Sequence, residues 1–207
     1  MRLTEIPILR MYHLTIDESQ REVFETAGVQ NLLTSHQNEI GTLAMYATHL
    51  NGQETENYVF ELYQDESQYQ IHANSSQFKA YGQVAQKVVK DKGLQELQPQ
   101  YIQTSNSNMA VSGQNDYFIE LTTFTSPSDT VQKLVEKLAK TSISGTYYVA
   151  AVDAVKKQWL CLELLRENQV SQISSILDQA ISSDRITKLL KVDTMVSQAN
   201  IGFENSH

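Results

Sequence analysis

Only one cysteine, Cys161, stands in the 207 residues, so no disulfide can close within the chain. It lies in the apolar run WLCLELL and reads as a small buried hydrophobe. Glycine is sparse, with eight residues widely scattered, and neither a phosphate-binding loop nor a dinucleotide fingerprint occurs. HxH, HxxxH and CxxC spacings are absent, so no metal site is expected. No stretch approaches the roughly 18 apolar residues of a membrane span. The opening MRLTEIPILRMYHLTIDES alternates in character and is interrupted by Glu5 and Pro7, unlike a signal peptide. No run of like charges forms an interaction tail. The net charge of -8 repels nucleic acid and anionic membranes alike. These absences lead to the expectation of a soluble, cytoplasmic protein that binds neither.

What is present is a pattern written twice. Residues 40–63, IGTLAMYATHLNGQETENYVFELY, parallel residues 144–165, SGTYYVAAVDAVKKQWLCLELL. Gly41-Thr42 corresponds to Gly145-Thr146, and Phe60-Glu61-Leu62 to Leu162-Glu163-Leu164. Each half reads as βαββαβ. In the first, alternation predicts strands over 6–16, 42–50, 57–64 and 97–104. A helix over about 19–36 is capped by Asp17 or Ser19, with Val23, Phe24, Ala27, Leu32 and Leu33 as its apolar stripe. Asp65 with Gln68 makes a capping-box spacing for a helix to about 73, and Asn74 with Gln77 starts its continuation over about 75–91. In the second half, strands fall at about 116–125, 145–154, 157–165 and 194–203, and helices at about 128–140 and 168–190. The polar TSNSNMAVSGQN reads as a linker. The expected organisation is a domain over 1–104, a linker over 105–115 and a degenerate repeat over 116–207.

Two such units imply an α+β chain of tandem ferredoxin-like βαββαβ folds, each an antiparallel sheet with its helices on one face. The other face must be buried as well, and two sheets packed together into an α/β barrel, a pseudo-dimer within one chain, would bury it.

The segment Glu39-Ile40-Gly41-Thr42, the strand Val59-Phe60-Glu61-Leu62-Tyr63, and then Asp65-Glu66, Tyr69, His72, Ser76 and Phe78 resemble the antibiotic biosynthesis monooxygenase family of dimeric α/β-barrel proteins. The resemblance covers residues 6–104; over 116–203 it is one of topology. It implies a pocket between sheet and helices and, as in several members, oxygenation of a phenolic or quinol substrate by dioxygen without metal or flavin. Haem-degrading relatives use a histidine after an FKA-like segment. Here Phe78-Lys79-Ala80-Tyr81 runs on to Gly82-Gln83, and that ligand is missing.

The halves diverge where such chemistry would sit. Eleven residues beyond Glu61 stands His72, whereas eleven beyond Glu163 stands Ser174. Tyr63 becomes Leu165 and Tyr69 becomes Ser171. The only histidine of the second half is the last residue, His207. One competent pocket per chain is expected, with His72 as the base, Glu61 and Tyr63 beside it, and Arg10, Tyr12, Tyr46, Tyr69 and Phe78 binding substrate. Glu61 also suits a structural role, such as binding a helix-end amide or an arginine, because its counterpart Glu163 persists where the histidine does not. His13 and His49 alternate along their strands and are expected to face solvent. The expected partners are a small aromatic molecule and dioxygen, with no cofactor. The rival reading is a non-catalytic small-molecule-binding or interaction protein of the same fold, and a third is a haem-binding relative. The sequence leaves open whether chains associate further.

Overall fold

The computed structural model describes residues 1–141, 145–181 and 183–205; His207 lies outside them. The first unit runs β1 (Ile8–Ile16), α1 (Arg21–Asn38), β2 (Thr42–Leu50), β3 (Gln53–Tyr63), α2 (Glu66–Asn74), α3 (Ser76–Val88) and β4 (Val89–Gln103). A short strand, β5 (Met109–Ser112), follows. The second unit runs β6 (Tyr117–Thr125), α4 (Ser128–Lys140), β7 (Tyr147–Asp153), β8 (Gln158–Arg166), α5 (Gln172–Ala180) and β9 (Arg185–Ser197), and β10 (Gly202–Glu204) closes the chain. Both units have the expected βαββαβ order.

The strands form one closed barrel in the order β1-β3-β2-β9-β6-β8-β7-β4, with β4 returning to β1. Two long strands make the closure. The first part of β4 pairs with β1, from Leu97 opposite Leu9 to Val89 opposite Ile16. Its last residues, Gln98 to Gln103, pair with β7 of the other unit. Likewise β9 pairs first with β6 and then, from Leu190 to Ser197, with β2. Each unit thus lends half a strand to the other, and no sheet edge is left in the barrel wall.

Period-two alternation divides the side chains. Leu9, Tyr46, Phe60, Leu62, Ile119, Tyr148, Leu160 and Leu162 fill the barrel. Arg10, Tyr12, Glu61 and Tyr63, on the other parity, face the helices. In the second unit that outer layer is a sealed apolar core, in which Val131, Leu134, Leu138, Ile173 and Leu177 pack on Val149, Trp159 and Cys161.

Several expectations shift. The helix expected over 168–190 is only α5, and Arg185–Ser197 is strand; residue 182 lies outside the described residues. The apolar spacing of Ile186, Leu189 and Leu190 suits a helix, but ladders to both β6 and β2 satisfy this backbone better. The last strand of the first unit begins at Val89 rather than 97, because β1 offers a partner over its whole length, with Gly93 opposite His13. The linker contains β5, which pairs with β9. Neither Asp17 nor Ser19 caps α1, which is entered through a 3-10 turn at Glu18–Gln20; Asp17 instead pairs with Lys90. Asp65 caps α2 as expected, accepting from the Gln68 amide at 3.0 Å. Ser75, one residue beyond Asn74, caps α3 through the Phe78 amide. The buried stripe of α1 is Phe24, Gly28, Asn31, Leu32 and Ser35, while Val23 is exposed. This helix turns polar residues inward where a purely structural helix would carry leucines.

Candidate active site

The outer face of the first unit is open where that of the second is sealed. A cavity of about 380 Å³ lies between β1, β3, β4 and α3. Its walls are Tyr12 and Leu14 of β1, Val59 and Glu61 of β3, Lys92 of β4, and Phe78, Tyr81, Gly82, Ala85 and Gln86 of α3. The α3 residues recur at helical spacing, so a single face of that helix lines the space. Among the described residues the second unit has the one helix α5 after β8 and no equivalent of α3. A smaller inner lobe, between α1, β2, β3 and β9, shares Val59, Glu61 and Tyr81 with the main cavity.

Glu61 stands at the junction of the two lobes. It is 5% exposed and accepts a hydrogen bond from the Tyr63 hydroxyl at 2.9 Å. Burial raises its proton affinity, and the surrounding His72, Tyr63, Arg10 and Lys92 only partly offset this. Burial and the neighbouring Glu61 charge likewise raise the phenols of Tyr12, Tyr63 and Tyr81, which keeps them protonated donors. The equivalent Glu163 is held quite differently. It accepts from the Ser171 hydroxyl at 2.6 Å and from the amides of Gln172 at 3.1 Å and Ile173 at 3.0 Å, pinning the first turn of α5. The structural role expected from the repeat therefore belongs to Glu163. Among the described residues Glu61 meets no helix-end amide, and Arg10, whose charge acts on it, hydrogen-bonds Glu96 instead.

His72 is fully buried. Its Nδ1 lies 2.9 Å from Glu39 Oε2 and 3.2 Å from Ser35 Oγ, and its ring meets Phe78 at 4.8 Å and Tyr63 at 5.4 Å between centroids. The carboxylate selects the tautomer with a proton on Nδ1. Nε2 is left buried without a hydrogen-bond partner among the described residues. Glu39 is a hub, also accepting from Thr42 Oγ1 at 2.5 Å and Gln77 Nε2 at 2.5 Å. Burial works to raise its pKa, but the bonds from His72, Thr42 and Ser35 outweigh it and the net direction is down. His72 is thus anchored behind Tyr63 and Phe78, and is not among the residues that line the cavity.

Of the other expected site residues, Tyr12 and Phe78 line the cavity. Arg10 binds Glu96 at 3.0 Å and lies over the Tyr69 ring at 3.8 Å. Tyr69 in turn meets Tyr63 edge-on at 5.4 Å. Tyr46 is inside the barrel, its hydroxyl 3.2 Å from that of Tyr148, on the opposite sheet face from Glu61. His13 is partly exposed, paired with Glu56 at 3.5 Å and stacked on Tyr58 at 4.6 Å. His49 does not face solvent. It is buried against Asp193 at 2.7 Å, beside Arg21, because β9 of the second unit brings that carboxylate alongside β2.

Sequence reasoning missed Tyr81, Lys92, Glu39, Ser35, Asn31 and Thr194. Tyr81 was legible as the residue one turn beyond Phe78. Asn31 and Ser35 were legible as polar residues at helical spacing with Phe24, Gly28 and Leu32. Thr194 carries no local signal.

Residues 7–84, within the first unit, match the family model described as antibiotic biosynthesis monooxygenase. The second unit repeats the βαββαβ order of that matched segment. Among solved structures, a candidate monooxygenase of Lactobacillus acidophilus is 19% identical with a TM-score of 0.79, over 96% of this chain and 99% of that one. One from Fusobacterium nucleatum is 14% identical with a TM-score of 0.80, over 99% and 100%. An anthrone oxidase-like protein is 7% identical with a TM-score of 0.50, over 93% of each. These likenesses show a monooxygenase-type fold spanning both units. No curated protein sequence matches the chain. No helix of the described residues is long and apolar enough to cross a membrane.

Proposed function

We propose that the chain is a cofactor-independent monooxygenase acting on a small aromatic quinol or polyphenol, with its one active site in the first unit. The observation that carries this reading is the buried carboxylate of Glu61, raised in proton affinity, in the wall of an aromatic-lined cavity. A phenol bound between Tyr12, Phe78 and Tyr81 gives its proton to Glu61. A carboxylate of raised pKa is the better base for so weak an acid. Lys92, at 5.0 Å over the Tyr12 ring, and the Tyr12 hydroxyl stabilise the phenolate. The phenolate passes an electron to dioxygen, and the radical pair joins through a new carbon–oxygen bond. Loss of water from the resulting hydroperoxide leaves one oxygen atom on the ring and the second in water. The diol itself is oxidised to a hydroxyquinone and supplies both electrons.

His72 does not touch this cavity, so the base assigned to it from sequence is moved to Glu61. His72 positions Tyr63 and Phe78 from behind, and Tyr63 orients Glu61. The test is oxygen uptake by the metal-stripped protein with mono- and dihydroxynaphthalenes. Glu61→Gln should lower turnover roughly 100- to 10,000-fold. Unchanged uptake in that variant, or uptake only after added metal or haem, overturns the reading. Tight binding without uptake would instead place the chain among ligand-binding proteins.

A further inference from the structure

The inner lobe holds about 20 Å³, room for a single water-sized group, since about 10–15 Å³ suffices for one. Two of its lining side chains are polar, almost wholly buried and unsatisfied. Asn31 of α1 is 2% exposed and Thr194 of β9 is 1% exposed. Asn31 Oδ1 and Thr194 Oγ1 have no hydrogen-bond partner among the described residues. Buried polar atoms without partners are rare in folded proteins, and two in one small space call for an occupant that can both donate and accept. A hydroxyl does both. The lobe and the main cavity share Val59, Glu61 and Tyr81 as lining, so Glu61 borders both. For a ring in the main cavity with one hydroxyl at Glu61, the substituent nearest this shared wall is the one on the adjacent ring carbon. Oxygens on neighbouring ring carbons lie side by side, whereas para oxygens stand at opposite ends of the ring.

We propose that the inner lobe is a specificity pocket for the second oxygen of a vicinal aromatic diol, its hydroxyl donating to Asn31 Oδ1 and accepting from the Thr194 hydroxyl. This rests on the reading of Glu61 as the base and narrows its substrate class from phenols at large to catechol-type rings. It also gives the second unit a part in the site, because Thr194 arrives on the half of β9 that crosses to pair with β2. The degenerate repeat completes the pocket as well as closing the barrel.

The test is binding under nitrogen, read by calorimetry, of 2,3-dihydroxynaphthalene, 1,4-dihydroxynaphthalene and 2-naphthol. The 2,3-diol should bind roughly 10-fold tighter than 2-naphthol, the worth of about one well-made buried hydrogen bond, and the 1,4-diol should match 2-naphthol. Thr194→Val and Asn31→Leu should each remove most of that preference and leave 2-naphthol affinity unchanged. Thr194→Ser, which keeps the hydroxyl, should retain it. No preference in the wild type, a preference that survives both variants, or no binding of any of the three overturns the proposal. If the diols bind equally and are still consumed with oxygen in a Glu61-dependent way, the inner-lobe assignment falls and the monooxygenase reading stands. A Thr194-dependent preference without oxygen uptake has the reverse meaning.

Discussion

Replacing Glu61 with glutamine, and separately Glu163 with glutamine, makes the same change at equivalent points of the two units, and the structure predicts different outcomes. Glu61 receives one hydrogen bond, from Tyr63, and a glutamine amide can keep it in either orientation. Its charge is the expensive part. An acid whose folded pKa is raised binds its proton more tightly folded than unfolded. Its stability contribution is therefore greatest below the unfolded value near 4.5 and falls as pH rises towards the folded value. Across that window the wild type loses about 1.4 kcal/mol for each unit of elevation, and Glu61→Gln escapes the loss.

Glu163 presents a different geometry. One oxygen faces the Gln172 amide and the other faces Ile173 and Ser171. A glutamine must turn its NH₂ towards one of two backbone N–H groups, and the group left unpaired costs about 1–3 kcal/mol. Burial raises Glu163 as well, with its three bonds opposing the rise, so neutralising it recovers some charge cost too. The decisive quantity is the gap between the variants. Urea denaturation from pH 4.5 to 8.5 should place Glu61→Gln above Glu163→Gln by about 1–3 kcal/mol at the acid end, and by no less at higher pH, because three hydrogen bonds offset the burial of the Glu163 charge and one that of Glu61. It should also show the Glu61→Gln advantage over wild type growing from near zero with rising pH. A gap that closes or inverts, or a Glu61→Gln effect flat in pH, would refute the contrast drawn between the two carboxylates.

His72→Ala should destabilise the fold by about 3–5 kcal/mol, because it strips a buried carboxylate of its partner, and Glu39→Gln in that background should recover part of the loss. Glu39 itself, with a lowered pKa, contributes stability above its unfolded value and loses it as pH falls through its folded value; comparing acid unfolding of Glu39→Gln with wild type checks the sign. Gly82 has open space where a Cβ would stand, so Gly82→Ala should raise the melting temperature through about 0.5–1 kcal/mol of helix propensity. Gly82→Phe, projecting into the cavity, should weaken 2,3-dihydroxynaphthalene binding at little cost in stability. Cys161 is 1% exposed, and burial raises its thiol pKa. Ellman's reagent should therefore leave it untouched in the native protein and titrate it fully in urea.

Sequence by itself determined the architecture. The repeated Gly-Thr and Phe-Glu-Leu or Leu-Glu-Leu segments, the period-two strands and the Asp65 cap are local signals, and local signals suffice for two βαββαβ units and for the need to bury the second sheet face. The loss of His72, Tyr63 and Tyr69 from the second half was also legible, because equivalent positions can be compared along the chain. Tertiary structure decided which of the retained groups meet. Glu61 and Glu163 are the same residue on the same strand, yet one accepts helix amides and the other lines a cavity. Beside Glu61, α3 forms the opposite wall of that cavity, whereas Glu163 meets the first turn of α5. His72 and Glu39, distant in sequence, become one buried pair only once the C-terminal end of α1 reaches His72 of α2. Asp193 and Thr194 join the first unit's site because β9 crosses to pair with β2, a pairing fixed by backbone hydrogen bonds over long sequence separation that no window of neighbouring residues encodes.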